Sequence, residues 1–127
     1  MNVSPALFEE LVWTAFEDIP EAIRARMNNV VVEAKDAPDD DDLDAADSAD
    51  DIQAQDLFGL YIGVPLTKRT HNYDMVTPDM IYIYRRAHMR KCHTLDQLRA
   101  EVRRTLRHEI AHHFGIDDQR LEDLGAY

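Results

Sequence analysis

Five residues near the carboxyl end of the chain have the types and spacing needed for metal-assisted hydrolysis. His108, Glu109, His112, Gly115 and Asp118 form a HExxHxxGxxD pattern. At about 100° per residue, His108 and His112 lie roughly 40° apart around a helix, so both imidazoles can reach one zinc ion. Glu109 is then placed to deprotonate a metal-bound water, whose pKa the ion lowers to roughly 7. The pattern therefore predicts a catalytic zinc site with Glu109 as the base.

The third protein ligand is expected just after the turn that ends this helix. Gly115 can adopt the left-handed conformation that terminates a helix, and the reversed chain can then bring Asp118 toward the metal. Asp117 and Glu122 are close enough in sequence to compete, although Asp117 is better suited to cap a following helix. We therefore predict one zinc ion per chain, held by Asp118 and the two motif histidines, with one coordination position open.

The remaining histidines are less suited to this site. His113 points about 100° away from the histidine before it, so we expect it to be packed or to support a ligand, not to bind the metal. His71 and Tyr73 lie in a polar connection between two predicted strands and are candidate proton donors, although an ordinary surface loop is the favoured interpretation. We expect His88 and His93 at the surface.

A long amphipathic helix must carry the motif. Residues 94–97 have the capping-box pattern that marks a helix start. The sequence predicts an earlier helix from Ser4 to about Asp18, a short helical turn over residues 21–27, and strands over residues 30–34, 60–62 and 80–84. The motif helix should pack on a sheet or core through apolar residues at spacings of three and four, namely Leu95, Leu98, Val102, Leu106 and Ile110.

The net charge of −11 is concentrated in one segment. Residues 36–51 contain nine aspartates and no Lys or Arg, which leaves −2 for the rest of the chain. This composition, with Pro38 and almost no large apolar residue, predicts a flexible acidic loop inserted between two strands. Because nucleic-acid binding depends on clustered Lys and Arg, the charge also argues against a nucleic-acid partner.

Length and composition indicate a single small domain over residues 1–127. The chain is 45% hydrophobic and can bury a core without disulfides, and its one cysteine, Cys92, permits no intrachain bridge. The sequence does not open with a basic region followed by an apolar run, and no segment approaches the length of a membrane span. We therefore expect a soluble cytoplasmic protein with no membrane partner.

The chain resembles the short bacterial zincin-like metallopeptidases, sometimes described as minimal zincins. The resemblance rests on FEEL at residues 8–11, IP at 19–20, LFGLYIGVPLT at 57–67, and RRT at 103–105 leading into HExxHxxGxxD. It implies an α+β fold in which a small mixed sheet packs on the motif helix, with N-terminal and short C-terminal helices. It also implies zinc on His108 and His112, with Asp118 as the third ligand.

The same resemblance implies hydrolysis of amide bonds in peptide or protein substrates. Residues 119–127 contain no methionine, so the Met-turn beneath the metal of larger metzincins cannot form in its usual place. The alternative is a zinc-binding regulatory or interaction protein with little or no proteolytic activity. Glu109 favours the enzyme, because a structural zinc site usually closes its fourth position with another Cys or His and needs no base. Hydrolysis of a small-molecule ester or amide would use the same site.

Overall fold

Three strands and five α-helices form the part of the chain that the structure describes. In a computed structural model of the protein, that part comprises residues 1–48, 57–70 and 77–116. The predicted α+β class and small mixed sheet are confirmed, whereas the predicted C-terminal helix lies outside the described residues. In chain order the elements are α1 (Pro5–Glu17), α2 (Glu21–Arg24), β1 (Val30–Lys35), α3 (Asp40–Ser48), β2 (Gly59–Ile62), a 3₁₀ turn (Leu66–Lys68), β3 (Asp79–Tyr84), α4 (Arg85–Lys91) and α5 (Leu95–His113).

The sheet is mixed, with strand order β1-β3-β2. The central strand β3 runs parallel to β1 and antiparallel to β2, and its Ile81 lies opposite Val32 on one side and Tyr61 on the other. Ile81 and Ile83, two residues apart on β3, point to the same face of the sheet and are fully buried. Among the described residues, β1 and β2 are therefore the two edge strands.

Helices α1 and α5 pack together against the buried isoleucines and form the main core. Each begins at a side-chain cap, since Ser4 Oγ accepts the N–H of Leu7 and Thr94 Oγ1 accepts the N–H of Gln97, both at 3.1 Å. The predicted apolar stripe of α5 is buried apart from Leu95, which is 36% exposed. This burial fixes the rotation of α5 and hence the direction of its histidines. The buried apolar residues are Phe8, Leu11, Val12 and Ala15 from α1, and Leu98, Val102, Leu106 and Ile110 from α5.

The acidic segment is partly helical, and the prediction of a flexible loop over residues 36–51 is wrong for residues 40–48. Asp39 and Asp42 cap the helix reciprocally: the Asp42 N–H donates to Asp39 Oδ1 at 2.8 Å, and the Asp39 N–H donates to Asp42 Oδ2 at 3.3 Å. Carboxylates in the first turn also interact favourably with the helix dipole. Asp42 is buried, with Lys35 Nζ and the Tyr84 hydroxyl each donating to it at 2.9 Å. Composition could not reveal this anchoring, because the two donors come from β1 and β3.

His88 is fully buried, and the prediction of a surface position for it is wrong. Helix α4 follows β3 directly and directs this ring into the core, where it contacts the rings of Phe8 and Phe58. Its Nδ1 donates to the carbonyl oxygen of Tyr84 at 2.7 Å, and its Nε2 lies 3.0 Å from the hydroxyl oxygen of Thr105. Burial lowers the pKa of this imidazole. The ring is therefore a neutral part of the core.

The segment between α4 and α5 agrees with the sequence-based expectations. His93 is exposed, as predicted, and Cys92 is a buried free thiol. Burial raises the pKa of the Cys92 thiol, which makes it a poor nucleophile. No helix in the described ranges combines the length and apolar character that crossing a membrane requires.

Candidate metal centre

The carboxyl-terminal turns of α5 bring His108, Glu109 and His112 together. One possible ligand atom from each residue lies within 4.8 Å of the others, and the two imidazole centroids are 4.7 Å apart. The histidines are half-buried, whereas Glu109 is only 6% exposed. Two imidazoles beside a carboxylate suit zinc, which prefers nitrogen and oxygen donors of this kind. The structure thus gathers three of the four predicted site residues in one place.

A hydrogen bond between Glu109 and His112 orients the second histidine. The Nδ1 atom of His112 lies 3.1 Å from Oε1 of Glu109. Because a carboxylate can only accept, Nδ1 donates in this hydrogen bond, and Nε2 is the ring nitrogen that remains as a candidate metal ligand. The carboxylate then supports the other side of the ring.

Gly59 allows β2 to approach α5 closely beside Glu109. A Cβ atom at this position would lie 2.7 Å from Thr105 Cγ2 and 3.2 Å from Glu109 Cγ. A larger residue would therefore push the strand and the helix apart. Glycine at this position brings an edge strand of the sheet alongside the predicted base.

His113 points into the core and is fully buried, in agreement with the expected packed position. Its Nε2 accepts the N–H of Asn28 at 3.2 Å, so Nδ1 carries the proton and lies 3.3 Å from Asp79 Oδ2. Burial lowers the pKa of this imidazole, and the positive charge of Arg69 lowers it further. Both ring nitrogens have partners within the protein.

Asp79 lies at the centre of a buried polar cluster behind the motif helix. We call Tyr61, Arg69, Asp79 and His113 the Asp79 cluster. The Tyr61 hydroxyl donates to the carboxylate, and Arg69 donates to the same oxygen at 2.6 Å. Asp79 is 2% exposed, and the Arg69 side chain is 9% exposed. Burial raises the pKa of the Tyr61 hydroxyl, and Asp79 raises it further. The cluster therefore joins β2, β3, the segment after β2, and the end of α5.

The turn that ends α5 also packs on the segment after β2. Gly115 has a φ angle of 86°, the left-handed conformation predicted for it. The N–H of Gly115 donates to the His112 carbonyl oxygen at 2.9 Å, and that of Ile116 donates to the Ala111 carbonyl oxygen at 3.0 Å. A Cβ atom at Gly115 would overlap the hydroxyl oxygen of Thr67. Backbone conformation and available space both favour glycine at this position.

The Asp79 cluster was not identified from the sequence. Tyr61 belongs to the run at residues 57–67 on which the family resemblance rests, but no spacing rule connects it to Asp79, 18 residues later, or to His113. The available signal was a carboxylate directly before a predicted buried strand, because a buried acid needs a cation or a hydrogen-bond donor nearby. The position of Asp79 does not identify which residues supply that cation or donor.

The predicted third metal ligand lies outside the part of the chain that the structure describes. Asp118 and its competitors Asp117 and Glu122 lie outside the described residues, as do the candidate proton donors His71 and Tyr73. Their roles stay predictions.

The family model for zincin-like metallopeptidases matches residues 27–126, and the chain therefore belongs to that family. A search of the solved structures finds a similar fold in a conserved hypothetical protein from Thermus thermophilus, with 22% identity and a TM-score of 0.53. That alignment covers 96% of this chain and 97% of the other. A search of the curated proteins gave no match. The predicted resemblance is confirmed at the level of family and fold.

Proposed function

We propose that this protein is a zinc-dependent peptidase that hydrolyses amide bonds in peptide substrates. The observation that carries the proposal is the convergence of His108, Glu109 and His112 within 4.8 Å on one side of α5. In this proposal His108, His112 and Asp118 would hold the ion. Bound zinc would supply Lewis acidity, polarising a carbonyl group and lowering the pKa of water.

Glu109 is the proposed general base and proton carrier. Its carboxylate takes a proton from the attacking water and transfers it to the leaving amine. The hydrogen bond at 3.1 Å from His112 Nδ1 keeps that carboxylate beside the candidate ligands. A side chain only 6% exposed is also held in a defined position, which favours proton transfer over a fixed path.

The proposed substrate is an extended peptide lying along β2. Within the described ranges β2 pairs only with β3, so an added chain can hydrogen-bond to its other edge. A Cβ atom at Gly59 would lie only 3.2 Å from Glu109 Cγ, so this strand passes close to Glu109. A peptide bound along β2 would therefore run close to the proposed base. The identity of its side chains is left open by this argument.

Glu109→Gln tests the assignment of the base. We expect the variant to bind zinc as the wild type does and to lose about 100-fold or more in turnover of a fluorogenic peptide library. Glu101→Gln is the matched control, because it makes the same change on α5 at a residue whose carboxylate pairs with Lys91 instead. Equal turnover by Glu109→Gln and the wild type, at equal zinc content, would contradict the assignment.

The same measurements separate the enzyme from the alternative. A wild-type protein that binds zinc but cleaves no member of the library would support a zinc-binding regulatory or interaction protein. Cleavage of small esters or amides without cleavage of peptides would support the same chemistry on a smaller substrate.

A further inference from the structure

A groove lies between α1 and β1, at the opposite edge of the sheet from β2. Its volume is about 260 Å³, and Val12, Phe16, Val32 and Ala34 contribute apolar surface to its lining. Val12 comes from α1 and is almost fully buried, whereas Val32 and Ala34 from β1 are half-buried. An edge strand facing a helix across an apolar groove is the arrangement in which an extended peptide can add to a sheet.

Trp13 stands at the rim of this groove and is 61% exposed. It stacks on Phe16 with ring centroids 5.8 Å apart, so the indole is supported from one side. A second hollow of about 510 Å³, lined in part by Glu9 and Glu10, also reaches Trp13. An exposed and supported tryptophan is a frequent anchor of protein interfaces, because it offers a large contact area with little conformational entropy to lose.

The charged residues that line the groove and the neighbouring hollow are all acidic, and the cationic Arg24 guanidinium lies 6.0 Å from the centre of the Phe16 ring. Glu9 and Glu33 line the groove, and Glu10 lines the neighbouring hollow. In the described ranges no cationic side chain forms a salt bridge with any of the three. Their charge is therefore open to a basic partner and repels an acidic one. The face of Trp13 also attracts cationic groups.

The burial pattern of β1 indicates the side-chain pattern of a segment added next to it. Val30, Val32 and Ala34 pack toward the core, whereas Val31 and Glu33 are exposed. In a strand paired on one side only, alternate N–H and C=O groups point to the open edge. Side chains of an added strand alternate between the same two faces. Apolar side chains would thus enter the groove, and the alternate ones would lie beside Glu33.

We propose that this groove binds an extended basic segment of a partner protein, which adds to β1 as a further strand. Aliphatic side chains of that segment occupy the groove above Val12 and Val32. Alternate Lys or Arg side chains pair with Glu33, and the aliphatic side chains in the groove contact the Trp13 indole at its rim. This binding is independent of the metal centre, which lies beside β2.

The single tryptophan of the chain provides the measurement. The full chain is titrated with the blocked heptapeptide VKVKVKV while Trp13 emission is recorded. The matched peptides are VEVEVEV, which reverses the charge, and VVVVKKK, which keeps the composition but removes the alternation. We expect a saturable emission shift with VKVKVKV and binding about tenfold weaker or worse with the other two. Equal binding of all three, or no shift with VKVKVKV, would overturn the proposal.

Two variants of Glu33 test the position of the added strand. Glu33→Lys should weaken VKVKVKV binding and allow VEVEVEV to bind, and Glu33→Gln should give a smaller loss, about threefold. Glu21→Gln is the control, since this residue is exposed and lines neither hollow. Circular dichroism establishes that each variant is folded. Unchanged peptide preference in folded Glu33→Lys would overturn the assignment to β1.

Self-association is the competing outcome. If a second copy of the chain occupied the groove, Trp13 emission would change with protein concentration alone, and sedimentation velocity would show a dimer that VKVKVKV does not dissociate. That result would overturn the proposal of a basic partner segment.

Discussion

His112 and His113 are adjacent in the sequence and lie in opposite environments. His112 is half-buried, faces the ring of His108, and has one nitrogen bonded to Glu109. His113 is fully buried, and the protein itself uses both of its ring nitrogens. The difference follows from the roughly 100° step between consecutive residues of a helix whose rotation is fixed by its apolar stripe. Residue type alone therefore does not identify a metal ligand. The side of the helix on which a histidine lies also determines whether it can bind a metal.

The same contrast holds for the groups around each histidine. On the outer side, two imidazoles and a carboxylate converge, with one possible ligand atom from each within 4.8 Å of the others. On the inner side, Asp79 gathers a hydroxyl, a guanidinium and an imidazole in the protein interior. The first arrangement suits binding and chemistry, and the second holds β2, β3 and the end of α5 together. Substitutions on the inner side should therefore affect mainly folding.

Asp79→Ala should have the largest effect on stability. Removing the carboxylate breaks its buried ion pair with Arg69 and removes the acceptor of the Tyr61 hydroxyl, so we expect a loss of about 3–5 kcal/mol. Equilibrium unfolding in urea measures it. Asp18→Ala is the matched control, because its pair with Arg103 at 2.9 Å is exposed and should contribute about 1 kcal/mol or less. Equal losses in the two variants would show that the Asp79 cluster contributes no more than a surface pair.

Gly115→Ala should have an intermediate effect. The added Cβ atom would overlap the Thr67 hydroxyl, and the backbone at position 115 is in a left-handed conformation that alanine disfavours. The two effects together predict that the free energy of unfolding in urea falls by about 1–3 kcal/mol. Adding Thr67→Ala removes the two closest atoms, Oγ1 and Cγ2, and should recover most of the steric part, leaving about 1 kcal/mol from the backbone. No recovery in the double variant would mean that the contact with Thr67 does not limit this position.

The pH dependence of stability should show a smaller effect that separates buried from exposed imidazoles. Burial lowers the folded-state pKa of His88, so the unfolded chain binds more protons near its ordinary pKa of about 6.5. The contribution of His88 to stability is thus complete above that pH, falls as the pH drops below it, and is lost once the pH passes the lower pKa of the folded state. Urea midpoints between about pH 7.5 and pH 5 measure this loss.

Two variants identify the histidine responsible. His88→Gln should reduce the pH dependence without abolishing it, because burial also lowers the pKa of His113, whereas His93→Gln, at an exposed position, should leave it unchanged. A pH dependence that is the same in His88→Gln and the wild type would contradict the assignment.

The features that could be predicted from the sequence depend on neighbouring residues. The caps at Ser4 and Thr94, the turn at Gly115, and the meeting of His108 with His112 all follow from spacings within one or two helical turns. The same is true of the alternation that buried Ile81 and Ile83. Such patterns hold wherever the helix or strand lies in the fold.

The features that could not be predicted depend on residues far apart in the chain. Asp42 stabilises the acidic helix through Tyr84, 42 residues away, and Tyr61 meets His113 across 52 residues. From the sequence, His88 is a polar residue in a basic segment, which predicts an exposed position. In the structure two aromatic rings and the Thr105 hydroxyl enclose it. Tertiary contacts of this kind override composition and local propensity.

Elemental analysis of zinc in the purified protein tests the central claim most directly, with His112→Ala and His93→Ala prepared alongside. If the outer side of α5 is a metal centre, the wild type and His93→Ala will hold about one zinc ion per chain, and folded His112→Ala will hold almost none. A wild-type protein that is metal-free and takes up no added zinc, or a His112→Ala variant that keeps its zinc, would contradict the claim.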